Sequence, residues 1–374
     1  MEVTVTTLVR IDNSSTLNDI AVIGDNIYGT VPSENCIIKI TPNGNVSLFA
    51  GYLRGSVDGV GEDAQFNFPC GITAIGDDLY VADTYSSKIR KITPNGTVST
   101  IAGSEVGRSD GKGIHASFMF PHDLTAIGRD LYVVDTGNSS IRKITPDGNV
   151  TTVTGIEAKL KLPVGITSIG DDLYVSDSGN NRICKITPDG NVTTVAGSDA
   201  GDSGRHDGMG TNARFSYPCG ITSVGKDLYV VDNRNNRIRK ITPDGNVTTI
   251  AGSMHGYKDG AGKESEFLNP TSVITVGKSL YVTDSANYCI RKIDLGIYPT
   301  NENHARKKNT LEELTYLPPM SVFPGGIAFQ DAKKRFQNAQ TRQRGSGKRK
   351  KTLKKTLKKG KSATYRRSMR NRRQ

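Results

Sequence analysis

The phrase KITPDGNVTTVAG, at residues 185–197, decides the fold of this chain because it recurs along it. Nearly identical phrases stand at 143–155 and 240–252, and looser ones at 39–51 and 91–103. One tyrosine position recurs with the same rhythm, at steps of 42 to 55 residues: Tyr28, Tyr80, Tyr132, Tyr174, Tyr229 and Tyr281. A repeat of this length predicts a propeller or a solenoid.

Each repeat contains four segments that are typical of short strands. In the fifth copy these are GITSVG (220–225), LYVVD (228–232), RIRKI (237–241) and NVTTIAG (246–252). β-Branched residues favour strands, and RIRKI alternates charged and apolar residues as a half-buried strand does. The TPDG segment between the third and fourth strands predicts a tight turn. Four antiparallel strands joined by hairpins predict one blade of a β-propeller.

The two ends of the repeated region complete one another. The sixth copy stops at Gly296 without a fourth strand, whereas residues 2–9, EVTVTTLV, read as a fourth strand with nothing before it. Because an open sheet edge promotes aggregation, we expect the N-terminal strand to close the ring. The predicted fold is all-β, a six-bladed propeller over residues 1–296.

The motifs P-x-G-I-T, D-L-Y-V-x-D, N-x-R-I-x-K and D-G-x-V-T-T-x-A-G resemble the NHL-repeat family of β-propellers over about residues 2–296. The absence of Trp argues against WD40 blades. The first copy departs most, with Val31 where the others have aspartate. The resemblance implies a binding scaffold; some family members are instead metal-dependent lyases or bind single-stranded RNA.

The connections between blades predict two different faces. The long connections and the loops that follow each second strand share one face, called the top face; the Pro-Asp-Gly hairpins lie on the opposite, bottom face. Four connections are long: Tyr52–Phe68, Ser104–Phe120, Ser198–Tyr217 and Ser253–Asn269. The two short ones, Arg10–Leu17 and Ile156–Leu162, lie opposite one another in a ring of six. We therefore expect a top-face groove across the channel, walled by the long loops.

Two aspartate motifs are interpreted as structural. Each long loop carries D-G-x-G-x-x-x-x-F, at 58–66, 110–118, 207–215 and 259–267. Calcium needs six to eight oxygen ligands and this loop offers one carboxylate, so we expect Asp-Gly to turn the chain and Phe to pack between blades. An aspartate also ends each second strand after the first copy, and we expect it to cap the next turn: Asp83, Asp135, Asp177, Asp232 and Asp284.

The residue after the proline that precedes each inner strand gives the best candidate metal ligands. This position reads Asn18, Cys70, His122, Val164, Cys219 and Thr271. Zinc needs its ligands within about 2.0–2.3 Å, which equivalent positions around a ring do not satisfy. We expect no metal, no cofactor and no catalysis; a metal-dependent lyase or hydrolase remains the alternative.

The loops between second and third strands vary while the rest of the repeat is constant. Variable loops on a rigid scaffold are where binding usually occurs. The predicted top-face ligand site is made of Tyr85, Asn138, Asn180, Asn181, Arg234, Asn235, Arg237 and Tyr288. The expected partner is a protein or a peptide. Single-stranded RNA is the alternative, against which the acidic charge of this region counts.

The chain carries a net charge of +12, but residues 331–374 hold 19 Lys and Arg against one acid, which leaves −6 on the rest. We expect a linker at 297–332, with a short helix at NTLEEL (309–314), and a disordered basic tail at 333–374. The tail is predicted to bind nucleic acid or another polyanion. Its candidate residues are Lys348, Arg349, Lys350, Lys351, Lys354, Lys355, Lys358, Lys359, Arg366 and Arg367. A solubilising tail or an import signal are alternatives, and TLKK-rich tails resemble those of giant DNA virus proteins.

The compartment follows from what the sequence lacks. It contains no run of 18 apolar residues and no charged start followed by an apolar core, so we expect neither a membrane span nor a signal peptide. Five cysteines lie singly, as reduced thiols do inside cells. The expectation is an intracellular, monomeric propeller.

Overall fold

The computed structural model describes residues 3–11 and 15–296, which form six antiparallel β-sheets arranged as the blades of a ring. The all-β, six-bladed propeller predicted from the sequence is confirmed. Each blade has four main strands, and the inner strands of successive blades contact one another around the central channel.

The strands of the first three blades, from inner to outer, have these bounds. Blade 1 is Ile20–Ile23, Asn26–Val31, Cys36–Ile40 and Val46–Gly51. Blade 2 is Pro69–Ile75, Asp78–Asp83, Lys88–Ile92 and Thr97–Ala102. Blade 3 is Pro121–Ile127, Asp130–Asp135, Ser140–Ile144 and Asn149–Thr154.

The remaining blades repeat the arrangement. Blade 4 is Ile166–Ile169, Asp172–Asp177, Arg182–Ile186 and Val192–Gly197. Blade 5 is Pro218–Val224, Asp227–Asp232, Arg237–Ile241 and Asn246–Ala251, close to the bounds expected from its sequence. Blade 6 is Pro270–Val276, Ser279–Asp284, Cys289–Asp294 and Thr4–Arg10.

The N-terminal strand closes the ring, as predicted. Thr4–Arg10 pairs antiparallel with Cys289–Asp294, with Thr4 opposite Asp294 and Arg10 opposite Cys289. The side chain of Val5 is fully buried among residues of blades 5 and 6. Blade 6 therefore contains the first and the last strands of the described chain.

The two faces lie where the repeat places them. At the top, the proline that opens an inner strand pairs with the aspartate that ends the second strand, as Pro69 does with Asp83. A 3-10 turn follows the second strand in each blade: Pro32–Glu34, Thr84–Ser86, Thr136–Asn138, Ser178–Asn180, Asn233–Asn235 and Ser285–Asn287. At the bottom, the repeated phrase forms its turn, with the Gly96 N–H donating to Thr93 O at 2.8 Å.

The core lies between neighbouring blades. Phe66 is fully buried against Ala50 of blade 1 and Leu79 of blade 2. Phe118, Phe215 and Phe267 occupy the equivalent positions and are also fully buried. The prediction that the phenylalanine of each long loop packs between blades is confirmed. Between blades 3 and 4, where the loop is short, Leu160 joins the core instead.

The long loops do not wall a groove on the top face, and that prediction is wrong. Each loop runs down the outer edge of the blade that follows it and adds a short fifth strand there: Gly59–Val60, Gly111–Lys112, Gly208–Met209 and Gly260–Ala261. A 3-10 turn follows each: Gly61–Asp63, Gly113–His115, Gly210–Asn212 and Gly262–Glu264. The Gly61 N–H donates to Gly96 O in the bottom hairpin at 2.9 Å. The loops cover the sheet edge, whose backbone groups would otherwise lie unpaired.

Two smaller features complete the described region. Leu53–Arg54 pairs in parallel with Gln65–Phe66 inside the first long loop, and Ile156–Ala158 is a 3-10 turn in the short connection to blade 4. No helix among the described residues is long and apolar enough to cross a membrane. The predicted helix at 309–314 and the basic tail lie outside the described residues.

Candidate ligand-binding site

A buried arginine ties each long loop to its blade. Arg90, on the third strand of blade 2, contacts Asp83 at 2.7 Å and Asp58 of the long loop at 2.8 Å. Its guanidinium also lies 5.1 Å from the ring centre of Phe66. Asp58 accepts further hydrogen bonds from the backbone and hydroxyl of Thr100 on the outer strand. Burial alone would raise the pKa of the Asp58 carboxyl, but the hydrogen bonds from Thr100 and the charge of Arg90 outweigh it and lower that pKa.

The same arrangement recurs wherever a blade has a long loop. The arginines are Arg90, Arg142, Arg239 and Arg291, all fully or almost fully buried, and they pair with Asp58, Asp110, Asp207 and Asp259. Blades 1 and 4 follow short connections and carry Ile38 and Cys184 at the arginine position. The interpretation of the Asp-Gly loops as structural is confirmed, and their carboxylates are already engaged.

The aspartate that ends each second strand does not cap the turn that follows it, so that prediction is wrong. Each of the five 3-10 turns that follow such an aspartate lacks a side-chain cap. Instead, Asp83 accepts a hydrogen bond at 2.7 Å from the backbone N–H of Asn67, which precedes the inner strand. The carboxylate is fully buried, and its other oxygen faces Arg90. Asp83 thus joins the second strand of blade 2 to the end of the long loop that precedes this blade.

Two further carboxylates are buried in the channel without a cation. Asp19 accepts hydrogen bonds from Ile72 N of blade 2 at 2.8 Å and from Ser272 Oγ of blade 6 at 2.5 Å. Asp123 accepts from Ile166 N of blade 4 at 3.0 Å. Burial raises the pKa of Asp19 to about 6. Burial and the neighbouring Asp19 charge raise the pKa of Asp123 well above its usual value. These carboxylates link neighbouring blades: Asp19 links blade 1 to blades 2 and 6, and Asp123 links blade 3 to blade 4.

The candidate metal ligands of the channel are not prepared for a metal. Burial lowers the pKa of His122 to about 4, so its imidazole is neutral at pH 7. Burial raises the pKa of Cys70 and Cys219 to about 12, which keeps both as thiols. Within residues 3–11 and 15–296, no three His, Cys, Asp or Glu side chains converge as metal ligands do.

The predicted binding asparagines lie at the top face and make internal hydrogen bonds. Asn138 Nδ2 donates to Asp135 and to Gly107 O of the long loop, and Asn180 and Asn235 make the corresponding bonds in blades 4 and 5. Asn181 Oδ1 accepts from the backbone N–H of Tyr217 in the next blade at 2.8 Å. These contacts hold the turns to the loops and use much of the amide hydrogen-bonding capacity.

The other four predicted residues differ in how freely they face solvent. Tyr85 is 51% exposed, and the Arg234 guanidinium lies 4.8 Å from the ring centre of Tyr217. Arg237 donates to Arg205 O, and the backbone oxygen of Tyr288 accepts from Ile11 N. The structure thus leaves Tyr85 and Arg234 as the most available of the eight. The role of the whole set in binding stays a prediction.

Sequence reasoning missed a second set of top-face residues, those immediately before the proline of each inner strand. We call Phe68, Phe120, Leu162 and Tyr217, with Tyr85, the apolar arc. The four residues before proline have positive φ values of 45° to 58°, which few non-glycine residues adopt. Phe68, Phe120 and Leu162 are 37%, 39% and 47% exposed. A signal for them was present in the sequence, because the residue before the proline is large and apolar in four copies of the repeat, which read F-P, F-P, L-P and Y-P.

The arc is continuous across blades 2 and 3. The rings of Phe68 and Tyr85 stack with centres 4.8 Å apart and an angle of 14°. Tyr85 meets the ring of Phe120 edge to face at 5.6 Å. Aromatic pairs with these geometries are mutually favourable, so the rings form one surface rather than separate exposed side chains.

Comparisons with known proteins agree with the repeat and the fold. A family model described as the teneurin NHL domain matches residues 107–261. The chain is 27% identical over 311 residues to NHL repeat-containing protein 2 of Gallus gallus, covering 68% of this chain and 42% of that protein. The human protein of the same name is 35% identical over 96 residues, 24% of this chain and 13% of that one. The chain spans less than half the length of these relatives, and the comparisons give no support to the viral resemblance of the tail.

Solved structures show the same fold at low sequence identity. An auxiliary nutrient binding protein from Bacteroides ovatus superposes with a TM-score of 0.59 at 20% identity, over 78% of this chain and 76% of that one. Virginiamycin B lyase from Staphylococcus aureus gives a TM-score of 0.54 at 17% identity, over 79% of this chain and all of that one. The same ring therefore occurs both in a protein described as binding and in one described as a lyase.

Proposed function

We propose that this NHL-repeat β-propeller is a non-catalytic binding scaffold, with a protein or peptide ligand on its top face and a polyanion, foremost nucleic acid, on its basic tail. The observation that supports it is the contrast between a rim and bottom fixed by repeated contacts and a top face where exposed side chains differ from blade to blade. The apolar arc supplies the exposed area, and Tyr85 and Arg234 connect it to the site predicted from the sequence. The scaffold is proposed to act inside the cell as a monomer.

The side chains of the channel support the non-catalytic part of the proposal. The Cys70 and Cys219 side chains, which occupy the repeat position of His122 in blades 2 and 5, are held as thiols. A nucleophile needs an adjacent base or a lowered pKa, and neither cysteine has one. The carboxylates that repeat around the ring are engaged with arginines or backbone N–H groups.

The tail is proposed to have its own role because its charge is opposite in sign to that of the rest of the chain. It holds 19 Lys and Arg in residues 331–374, whereas the preceding residues carry a net charge of −6. Neutralising phosphates releases counterions, so binding by such a segment weakens steeply as salt rises. The residues proposed to carry it are those named above from Lys348 to Arg367.

The first experiment measures nucleic-acid affinity across a salt series for three proteins. These are the full chain, residues 1–330, and a full-length variant in which the ten named tail residues are glutamine. We expect only the unaltered full chain to bind, with a steep salt dependence. Equal binding by residues 1–330 would overturn the tail assignment and place nucleic acid on the propeller. Failure of all three to bind would leave the tail without a polyanion role.

The second candidate is a metal-dependent lyase or hydrolase, and one observation favours it: His122 lies on the inner strand of blade 3, and its side chain has no hydrogen-bond partner within the described part of the chain. The test is metal content of the purified protein before and after His122→Ala. Stoichiometric metal that disappears in the variant would support the enzyme. Equal, substoichiometric metal in both proteins would support the scaffold.

A further inference from the structure

The apolar arc has a low centre between two taller ends. The second residue of the 3-10 turn is Tyr85 in blade 2 and Arg234 in blade 5, but Gly137 in blade 3 and Gly179 in blade 4. A Cβ atom at Gly137 would lie 2.6 Å from Met119 O, so the turn packs too closely for a side chain. Gly179 is equally close to Lys161 O, at 2.6 Å. The turns of blades 3 and 4 therefore put no side chain beside Phe120 and Leu162.

Cations without acidic partners surround this low centre. Arg54 Nε donates to Asn67, the neighbour of Phe68; Lys161 directly precedes Leu162; and Arg234 lies on Tyr217. Arg108 and Lys159 are exposed on the connections to blades 3 and 4. None of these five forms an ion pair in the part of the chain that the structure describes. The acids of the same two connections are Glu105, Asp110 and Glu157; Asp110 is paired with the buried Arg142, and Glu157 accepts a hydrogen bond from Gly155 N.

The third-strand lysines at the bottom face differ from the cations around the arc. In blades 2 to 5 each of these lysines pairs at 2.6 Å with the aspartate that begins the second strand: Lys91–Asp78, Lys143–Asp130, Lys185–Asp172 and Lys240–Asp227. The repeat thus pairs these four lysines internally, whereas the cations around the arc have no acidic partner among the described residues. Complementary charge favours encounter with an acidic partner and rejects a basic one.

The aromatic groups favour an inserted side chain over stacked bases. Phe68 and Tyr85 cover one face of each other, and the guanidinium of Arg234 covers a face of Tyr217. Leu162, at the low centre, has no π-face at all. Single-stranded nucleic acid binds by stacking successive bases on aromatic faces, and these faces are in part already used. An apolar side chain needs only the uncovered surface of Phe120 and Leu162.

We propose that the top face binds an acidic peptide segment whose apolar side chain packs on Phe120 and Leu162, between Tyr85 and Arg234, while its carboxylates meet Arg54, Lys161 and Arg234. This inference rests on the proposed scaffold function and specifies its ligand.

The test is a random-peptide phage selection against the full-length protein, followed by affinity measurements on the enriched peptides by fluorescence polarisation. The variants are Phe120→Ser and the double variant Lys161→Glu with Arg234→Glu. Matched controls are Ile114→Ser on the rim, where Ile114 is 63% exposed, and Arg129→Glu with Lys226→Glu on bottom turns. Every protein in the selection and in the affinity measurements carries the ten named tail residues as glutamine, so that the tail does not enrich acidic peptides. Leu162→Ser replaces Phe120→Ser if that variant does not fold.

We expect the enriched peptides to carry acidic residues around an apolar one, to bind about tenfold more weakly to both top-face variants, and to bind the controls as they bind the wild type. Neutral or basic peptides that still lose affinity with Phe120→Ser would overturn the acidic ligand and leave the scaffold function standing. Peptides indifferent to every top-face variant would overturn both. A uridine-rich RNA oligonucleotide that loses affinity with the same variants, while no peptide does, would replace the peptide with RNA.

Discussion

Blades 2, 3, 5 and 6 protect their outer edges with a long loop, whereas blades 1 and 4 follow short connections. The long-loop blades each bury an arginine that holds one aspartate of the loop and one of the second strand, as Arg239 does with Asp207 and Asp232 at 2.8 and 2.6 Å. The short-connection blades carry Ile38 and Cys184 at the same position, both buried. Within residues 3–11 and 15–296, a buried guanidinium is thus present only where a long loop supplies its second carboxylate.

Blade 4 shows how the pairing changes when the loop is missing. Asp177 still ends the second strand and is fully buried, but it pairs with Arg182, which stands two residues before Cys184 on the third strand. The distance between Arg182 Nε and Asp177 Oδ2 is 2.8 Å. The side chain of Arg182 is 17% exposed, so water shares its solvation. The comparison teaches that the loop and the arginine form one unit: burial of the charge requires carboxylates on both sides.

The largest expected effect comes from removing one arginine. Arg239→Met leaves the carboxylate of Asp232 buried without its cation, so we expect the free energy of unfolding to fall by about 3–5 kcal/mol. Urea denaturation of the variant measures it. Arg129→Met, on an exposed bottom turn, is the control and should change stability by less than about 0.5 kcal/mol. A loss below about 1 kcal/mol for Arg239→Met would mean that the buried arginine does not stabilise the long-loop blades as the comparison implies.

The next effect concerns buried carboxylates that have no cation. The raised pKa of Asp19, about 6, means that the folded state binds a proton more readily than the unfolded chain. Its contribution to the free energy of unfolding is absent near pH 7 and grows as the pH falls towards 4. We expect the stability difference between wild type and Asp19→Asn to shift in favour of the wild type by about 2–3 kcal/mol over that range. Urea titrations at a series of pH values test it, and parallel curves would contradict it.

A smaller effect is expected at the loop side of the unit. Asp207→Ala removes hydrogen bonds to Arg239 and to Thr249, but the side chain of Asp207 is 41% exposed. Water can therefore replace part of what is lost, and we expect about 1–2 kcal/mol of destabilisation. Hydrogen exchange should speed up most at Gly208–Met209, the fifth strand of blade 5. Uniformly faster exchange throughout blade 5 would mean that the aspartate supports the whole blade.

The smallest effect is expected where the unit is absent. Cys184 acts as a small apolar residue, so Cys184→Val should change the free energy of unfolding by less than about 1.5 kcal/mol. Thermal denaturation beside Arg239→Met compares the two kinds of blade at one position of the repeat. A loss for Cys184→Val as large as for Arg239→Met would show that the position is sensitive in both kinds of blade.

The sequence predicted the ring well because the repeat carries its own signals. Alternation and turn residues located the strands of blade 5, and the missing fourth strand predicted the closure by Thr4–Arg10. Phe66 and its equivalents were placed correctly because a phenylalanine recurs at one fixed position of each long loop, eight residues after the aspartate. These features depend on short stretches of sequence, and they recur in the sequence of each blade.

The sequence predicted the site less well because its features depend on neighbouring blades. Asp83 was expected to act on its own turn, yet it bonds Asn67, 16 residues before it. The path of the long loops depends on Arg90 meeting Asp58, 32 residues away. The arc was missed because Phe68 and Phe120 look like core residues in sequence, and their exposure appears only when the neighbouring blades are in place.

Ring closure by the N-terminal strand sets an order for synthesis on the ribosome. Thr4 pairs with Asp294, so the strand Thr4–Arg10 cannot complete blade 6 until about 290 further residues have been translated. At 5–20 residues per second this takes about 15–60 seconds. Thr4–Arg10 therefore lacks its partner strand Cys289–Asp294 through most of the synthesis of the propeller.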